Sequence, residues 1–228
     1  MAAAEHSPAR DAVARAALDL VEPGMTVGLG SGRAVWALVA LIGERDPGAV
    51  RAAVASERTG ALARETGIEV VALDGQAELD LAIDGADEID PALGLLKGGG
   101  GALLREKIVI SAARRFVAIA EERKRVERLG RDFRLPVEVV PFGWQTTRER
   151  VLGLVEDALL RERDGEPYLT DEGNLILDCR THADGDLDEL AAELKGTVGV
   201  VEHGLFLHEA DAVLLGADDG TVTELTRD

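Results

Sequence analysis

Asp84-Gly85-Ala86-Asp87-Glu88, then Lys97-Gly98-Gly99-Gly100-Gly101, then Glu106, sets carboxylates, one ammonium and four consecutive glycines between two apolar runs. Before it, Leu79-Asp80-Leu81-Ala82-Ile83 is aliphatic and starts by alternating, which predicts a strand that stops at Asp84-Gly85. After it, a helix is expected from about Ala102, with Glu106 on the face of Leu103, Ile110 and Ala113. In open α/β sheets, ligands sit in the crevice beyond the carboxyl ends of the strands, and Asp84 and Asp87 would project there. Four glycines in a row allow unusual backbone angles, and their amides can converge on an anion beside the following helix. A carboxylate on an otherwise apolar stripe has its ionised form disfavoured, which raises its pKa toward the range of a useful general base. Taken singly, these parts are ordinary: an Asp-Gly turn, a glycine linker, a solvated glutamate near a helix start. Together, in this order, they point to a site that moves protons on a small polyhydroxy anion.

Upstream, residues 11–21 have an amphipathic helical pattern ended by Pro23-Gly24. Residues 25–29 read as a strand, Gly30-Ser31-Gly32 as a turn and 34–44 as a helix, the phosphate-binding layout of many α/β proteins. It is not the full dinucleotide fingerprint, because Arg33 occupies the place of the final glycine. Short strands are expected over 52–55 and 69–73, on either side of a helix over 59–66, with a further strand over 116–120. This alternation predicts a Rossmann-like, mostly parallel sheet flanked by helices. After Pro136 the character changes. A helix is expected over 148–160, a hairpin from 168–170 and 174–179 about Asp171-Glu172-Gly173, and a helix over 187–194. That order suggests a smaller α+β insert, with 1–130 and 205–228 forming the α/β catalytic domain and 131–204 a lid or oligomerisation domain. Residues 212–216 would then return as a strand to the main sheet.

Composition narrows the function classes. With 228 residues the chain can bury a full α/β core. Only 25 Lys and Arg stand against 43 Asp and Glu, a net charge of −18, and aromatics make up 3%, so nucleic acid is not an expected partner. A single cysteine, Cys179, excludes an intrachain disulfide, and its strand-like setting suits a buried structural thiol. His6, His182, His203 and His208 show no metal-ligand spacing, so no metal is expected. No basic leader followed by an apolar run is read at the N-terminus, nor an apolar stretch near membrane-spanning length. The expected location is cytoplasmic, with no membrane partner.

Residues 82–90 together with 96–107 closely resemble the type A ribose-5-phosphate isomerase family. Similar stretches extend the resemblance from about residue 10 to about residue 225: Val27-Gly28-Leu29-Gly30-Ser31-Gly32 resembles its first glycine loop, and residues 136–144 its linker into a smaller domain. Asp171-Glu172-Gly173-Asn174 and Glu202-His203-Gly204-Leu205-Phe206 are similar to its later markers. The resemblance implies interconversion of ribose 5-phosphate and ribulose 5-phosphate through an enediolate, with Glu106 as the base at carbon and no cofactor. It implies that Asp84 and Asp87 handle hydroxyl protons and ring opening, in an order left open, while Lys97 and the Gly98–Gly101 amides stabilise the enediolate oxygens. Substrate contacts are implied at Arg10, Ser31, Gly32, Arg33, Ala34, Asp84, Gly85, Ala86, Asp87, Lys97, Gly98, Gly99, Gly100 and Lys124. A homodimer or homotetramer is also implied, with the Leu205-Phe206-Leu207 region or the insert as its contact surface.

The sequence departs from the family's common GTGST loop at Gly30-Ser31-Gly32-Arg33-Ala34. Arg33 either replaces two hydroxyl contacts with one bidentate clamp on phosphate, or faces solvent at the helix start. Arg10 stands where a lysine is usual, keeping charge but not geometry. Two rival readings follow: an isomerase of another phosphorylated aldose, and a non-catalytic sugar-phosphate sensor. A sensor should lack part of the proton-transfer set and carry a basic DNA-binding segment, and neither feature is read here.

Overall fold

The computed structural model describes residues 7–75 and 78–227; His6 and the stretch before it, read above for leader and metal signals, lie outside. The chain begins with α1 (Pro8–Leu18), β1 (Thr26–Leu29), α2 (Arg33–Arg45), β2 (Arg51–Val54), α3 (Glu57–Glu65) and β3 (Glu69–Val70). It continues through β4 (Leu81–Gly85), β5 (Glu88–Ile89), β6 (Leu95–Leu96), α4 (Leu103–Ser111) and β7 (Phe116–Glu121). Next come β8 (Leu135–Val139), α5 (Trp144–Val151), β9 (Asp157–Leu160), β10 (Glu162–Arg163), β11 (Glu166–Pro167) and β12 (Leu175–Arg180). The last elements are α6 (Leu187–Gly196), β13 (Val200–His203), β14 (Leu205–Phe206), β15 (Ala212–Gly216) and β16 (Val222–Thr226).

Seven strands form the main sheet in the order β16-β15-β7-β4-β1-β2-β3, and only β16 runs antiparallel to its neighbour. From β1 the chain winds outward through β2 and β3, then returns to place β4 on the opposite side of β1. The sheet therefore changes winding direction between β1 and β4, the position at which such sheets open a crevice. α1 and α2 cover one face with Val13, Ala14, Ala17, Val35, Leu38, Val39 and Ile42, packed on Val27, Leu29, Ile83, Val117 and Ile119. α1 starts three residues earlier than the apolar pattern predicted, because Ser7 caps it and Pro8 suits its first turn.

A second, four-stranded antiparallel sheet, β13-β8-β12-β9, buries Leu135, Val137, Val139, Leu177 and Cys179 against α5 and α6. It fits the smaller α+β insert. Residues 136–144, expected as a linker, instead contribute most of β8, an inner strand with every residue buried. Pro136 is tolerated at its second residue, with its carbonyl accepting from Gly204 N at 2.8 Å. The helix expected over 148–160 ends at Val151; a turn through Gly153 follows, and Asp157–Leu160 pairs with β12 as an edge strand. The predicted 168–179 hairpin keeps its turn and one Leu169–Leu175 bridge, while the principal partners of β12 are β8 and β9. Leu205 and Phe206, expected at a subunit surface, are buried within the chain as β14 pairs with β6. The Cys179 thiol is pushed up to about 12, first by burial, in keeping with a structural role.

α1 can approach β15 only because residue 216 is glycine: a Cβ there would lie 2.1 Å from the Ala9 carbonyl oxygen. Gly216→Ala is expected to cost about 1–3 kcal/mol, because backbone must move, and to lower the melting temperature by several degrees. Gly196→Ala, where a Cβ meets nothing within 4 Å, is expected to hold or slightly raise it. Equal melting temperatures for the two variants would refute the close α1–β15 contact.

Candidate active site

β4 carries Asp84 to its carboxyl end and stops at Gly85, as the sequence predicts, with Gly85 still paired to Ile119 of β7. Asp84 is 1% exposed. Its Oδ1 accepts from Ser31 N at 3.0 Å and from Gly85 N at 2.6 Å, and its Oδ2 lies 2.8 Å from Lys97 Nζ. Room for this carboxylate comes from Gly30, where a Cβ would overlap the Asp84 carboxyl carbon at 1.8 Å. Lys97 follows β6 directly and is fixed by its N–H to Gly204 O at 2.9 Å. It is 2% exposed, and its Nζ also reaches Glu106 Oε2 at 3.1 Å and donates to Gly85 O. Glu106 stands in the first turn of α4, 5% exposed, among the buried Leu103, Val109 and Ile110 of that helix.

One ammonium thus serves two buried carboxylates. Burial pushes Glu106 upward, the Asp84 charge adds to this, and Lys97 restrains it, leaving its pKa raised to about 8. Burial also raises Asp84, against the pull of Lys97 and the amides of Gly85 and Ser31. Because Asp84 has two amide donors in addition to the ammonium, Glu106 is the member that keeps a proton more readily. For Lys97, burial acts downward, but Asp84 and then Glu106 outweigh it and hold the ammonium above its ordinary range.

Over this group lies a cleft of about 630 Å³, whose floor and walls include Gly85, Ala86, Asp87, Lys97, Gly98–Gly101 and Glu106. Asp87 Oδ2 accepts from Gly99 N at 2.8 Å, and Gly101 N donates to Gly98 O at 3.0 Å, so two of the four loop amides are already engaged. Gly98 and Gly101 have φ of 103° and 85°, and a Cβ on Gly101 would strike the Tyr168 hydroxyl at 2.3 Å. Glu88, the last residue of the acidic motif, points elsewhere: it accepts from Gly130 N and Phe133 N, both at 2.7 Å, and braces that loop.

Ser31, Gly32, Arg33 and Ala34 line the cleft at the start of α2, whose N-terminus has no side-chain cap. Lys124 lines it after β7, with Nζ donating to Ala86 O; burial lowers its pKa. Asp84 lies beneath the lining rather than in it, bonded to Gly85 and Lys97. Arg10 is buried in α1, outside the lining, and its charge reaches the lining residue Glu121. Sequence reading missed Trp36, Ser56, Arg58, Phe133, Arg163, Tyr168 and Asp171 in the wall. Ser56 was recoverable, since it caps α3 and starts that helix at Glu57 rather than Thr59. Arg163 and Tyr168 arrive from the β10–β11 region, about 60 residues beyond the glycine run, and no local pattern announces them. Among the described residues, no group of three or more His, Cys, Asp or Glu side chains is placed to hold a metal ion.

A doubly wound sheet with a buried carboxylate–ammonium–carboxylate group under a glycine-walled cleft defines an α/β enzyme equipped for proton transfer. The chain belongs to the ribose 5-phosphate isomerase A (phosphoriboisomerase A) family, whose model matches residues 51–220. It is 49% identical over 218 residues to ribose-5-phosphate isomerase A of Roseiflexus sp. (strain RS-1), covering 93% of this chain and 94% of that protein. Its fold matches ribose 5-phosphate isomerase A of Methanocaldococcus jannaschii with a TM-score of 0.89 at 36% identity, over 96% and 98% of the two chains. A D-ribose-5-phosphate isomerase in complex with phospho-erythronic acid matches at a TM-score of 0.90 and 34% identity, over 96% and 97%.

The raised Glu106 pKa has a consequence for stability. Its proton is held more tightly in the folded chain, so the stability from this group is complete below about 4.5 and lost as pH rises through about 8. Glu106→Gln is expected to flatten the fall in urea midpoint across that window and to be the more stable form above it. An unchanged slope would place the pH sensitivity on another group.

Proposed function

We propose that Glu106 is the base of a metal-independent isomerisation of D-ribose 5-phosphate to D-ribulose 5-phosphate. The observation that carries this reading is Lys97 held 2.8 Å from Asp84 and 3.1 Å from Glu106 beneath the cleft. Ionised Glu106 takes the proton from C2 of the open-chain aldose, and the electron pair moves to give an enediolate across C1 and C2. Protonated Glu106 then returns the proton to C1, so one C–H bond breaks, one forms, and nothing is oxidised overall. A carboxyl group raised to about 8 suits both steps: it is a stronger base than an ordinary carboxylate and still an acid at neutral pH. The hydroxyl proton moves from O2 to O1 through Asp84 or Asp87, which also serve ring opening. The Lys97 ammonium, with amides of the Gly98–Gly101 loop that remain unengaged, stabilises the enediolate oxygens. Phosphate is held by Ser31, Gly32, Arg33 and Ala34 at the start of α2 and by Lys124, with Arg10 contributing charge from behind the wall.

Residues 1–130 with 205–228 form the catalytic domain in this reading, and 131–204 the smaller one. The smaller unit supplies Arg161 and Tyr168, which bond the carbonyls of Gly98 and Gly100 at 2.8 and 3.2 Å, a lid-like support for the glycine run. A cytoplasmic homodimer or homotetramer is proposed on the resemblance. Among the described residues, no helix is long and apolar enough to cross a membrane.

Isomerisation of ribose 5-phosphate, followed beside ribose and allose 6-phosphate, tests the reading. Conversion should require the phosphate, kcat/KM should rise with pH toward a midpoint near 8, and Glu106→Gln should lower kcat by about 10²–10⁴-fold. Parent-like turnover by Glu106→Gln would remove Glu106 as the base, and no turnover by the parent would remove this substrate.

A further inference from the structure

We infer that Arg58, seated on the Trp36 ring, is a second phosphate-positioning side chain that works with Arg33. This rests on the sugar-phosphate reading of the cleft.

Four observations carry it. Arg58 and Trp36 line the same cleft as Ser31, Gly32 and Arg33. The guanidinium carbon of Arg58 lies 3.6 Å from the Trp36 ring centroid, well within cation–π distance. Trp36 is itself anchored: its Nε1–H donates to Thr59 Oγ1 at 3.1 Å, and the Thr59 hydroxyl donates to Gly30 O at 2.9 Å. Thr59 is fully buried, so the platform is tied to the first glycine loop and not to solvent.

The charges nearby are arranged to leave Arg58 available. Its neighbour Glu57 pairs with Arg105 at 2.8 Å, and Asp171, also in the cleft wall, accepts from Glu57 N at 2.9 Å and faces Arg105 at 3.5 Å. Among the described residues, neither Arg33 nor Arg58 has a carboxylate within ion-pair distance, although the protein carries a net charge of −18. Trp36 stands three residues after Arg33 on α2, hence on the same helix face. The Ser31 and Ser56 hydroxyls lie 3.1 Å apart, so the starts of α2 and α3 flank one space. Two planar guanidinium groups beside that space match a phosphate dianion, which accepts paired N–H bonds from each. The aromatic seat holds one of them in place before the ligand arrives, reducing the ordering that binding requires.

Steady-state kinetics on Arg58→Ala and Arg58→Lys, with inorganic phosphate as competitor, test the assignment. Arg58→Ala is expected to raise KM for ribose 5-phosphate about tenfold and to weaken phosphate inhibition by a similar factor, with the loss in KM and not in kcat. Arg58→Lys should recover part of the loss, because charge returns without the fork. Arg33→Ala combined with Arg58→Ala should depart from the product of the single effects, as expected for two groups on one anion. Unchanged KM and phosphate inhibition in Arg58→Ala, or a fall confined to kcat, would overturn the role. If the parent fails to isomerise ribose 5-phosphate, calorimetry with inorganic phosphate still decides: binding weakened in Arg58→Ala supports the clamp, and equal binding or none in the parent overturns it.

Discussion

A single ammonium held out of water between two carboxylates is the constraint around which this chain is arranged. Lys97 buried alone would be costly, and so would Asp84 or Glu106; at 2.8 and 3.1 Å the three make one another tolerable. Bringing them together uses four separate parts of the fold. Gly30 leaves space for Asp84 at the end of β1, the β4–β7 pairing carries Asp84 forward, and β6 with Gly204 aims Lys97. α4 then supplies Glu106 one turn after the glycine run. Burial disfavours the Glu106 charge first, and one ammonium cannot fully neutralise two carboxylates, so a proton resides readily on Glu106. The arrangement is held by packing against its own electrostatic preference, a common condition of proton-transfer sites.

The glycine run owes its fixed shape to the same economy of contacts. Its carbonyls are tied outward, to Arg161 at Gly98 and Gly99 and to the Tyr168 hydroxyl at Gly100, while Asp87 takes the amide of Gly99. Arg161 is in turn clamped by Asp178 of β12, so the antiparallel sheet reaches the cleft wall through charge-assisted bonds. A loop of four glycines would be mobile in isolation. Here, the second sheet removes that freedom, and any dipoles the loop offers to a ligand are aimed before it binds.

Much of this was legible in the residues, and the legible part has a physical limit. The main sheet followed from local alternation of strands and helices, and the acidic motif, Lys97 and Glu106 lie within 23 positions of one another, so their order alone suggested a common site. The second sheet was harder. Residues 136–144 read as a linker from their resemblance to the family's connecting stretch, yet β8 is an inner strand whose partners lie about 35 to 65 positions further on. The helix read over 148–160 was broken because pairing of Asp157–Leu160 with β12 outweighed local propensity. Trp36, Arg58 and Tyr168 could not be assigned to the cleft from spacing, since only tertiary contacts carry them there.

The acidity of the chain sharpens what its cleft must do. A protein of net charge −18 repels a phosphorylated sugar at long range, so capture depends on cations close to the bound anion, inside the screening distance of the solvent. Several basic groups at or near the cleft are already occupied: Arg105 gathers Glu57, Asp171 and Glu172, Lys97 lies between Asp84 and Glu106, and Lys124 bonds the Ala86 carbonyl. Arg33 and Arg58 have no carboxylate within ion-pair distance among the described residues, and Arg33 stands at the uncapped start of α2. An Arg33-Ala34 pair in the first glycine loop removes hydroxyl donors, and on the proposal above the Arg33 and Arg58 guanidinium groups would restore donors together with charge. On that proposal the departure from the common loop is a different means of holding the same dianion and not the loss of its site.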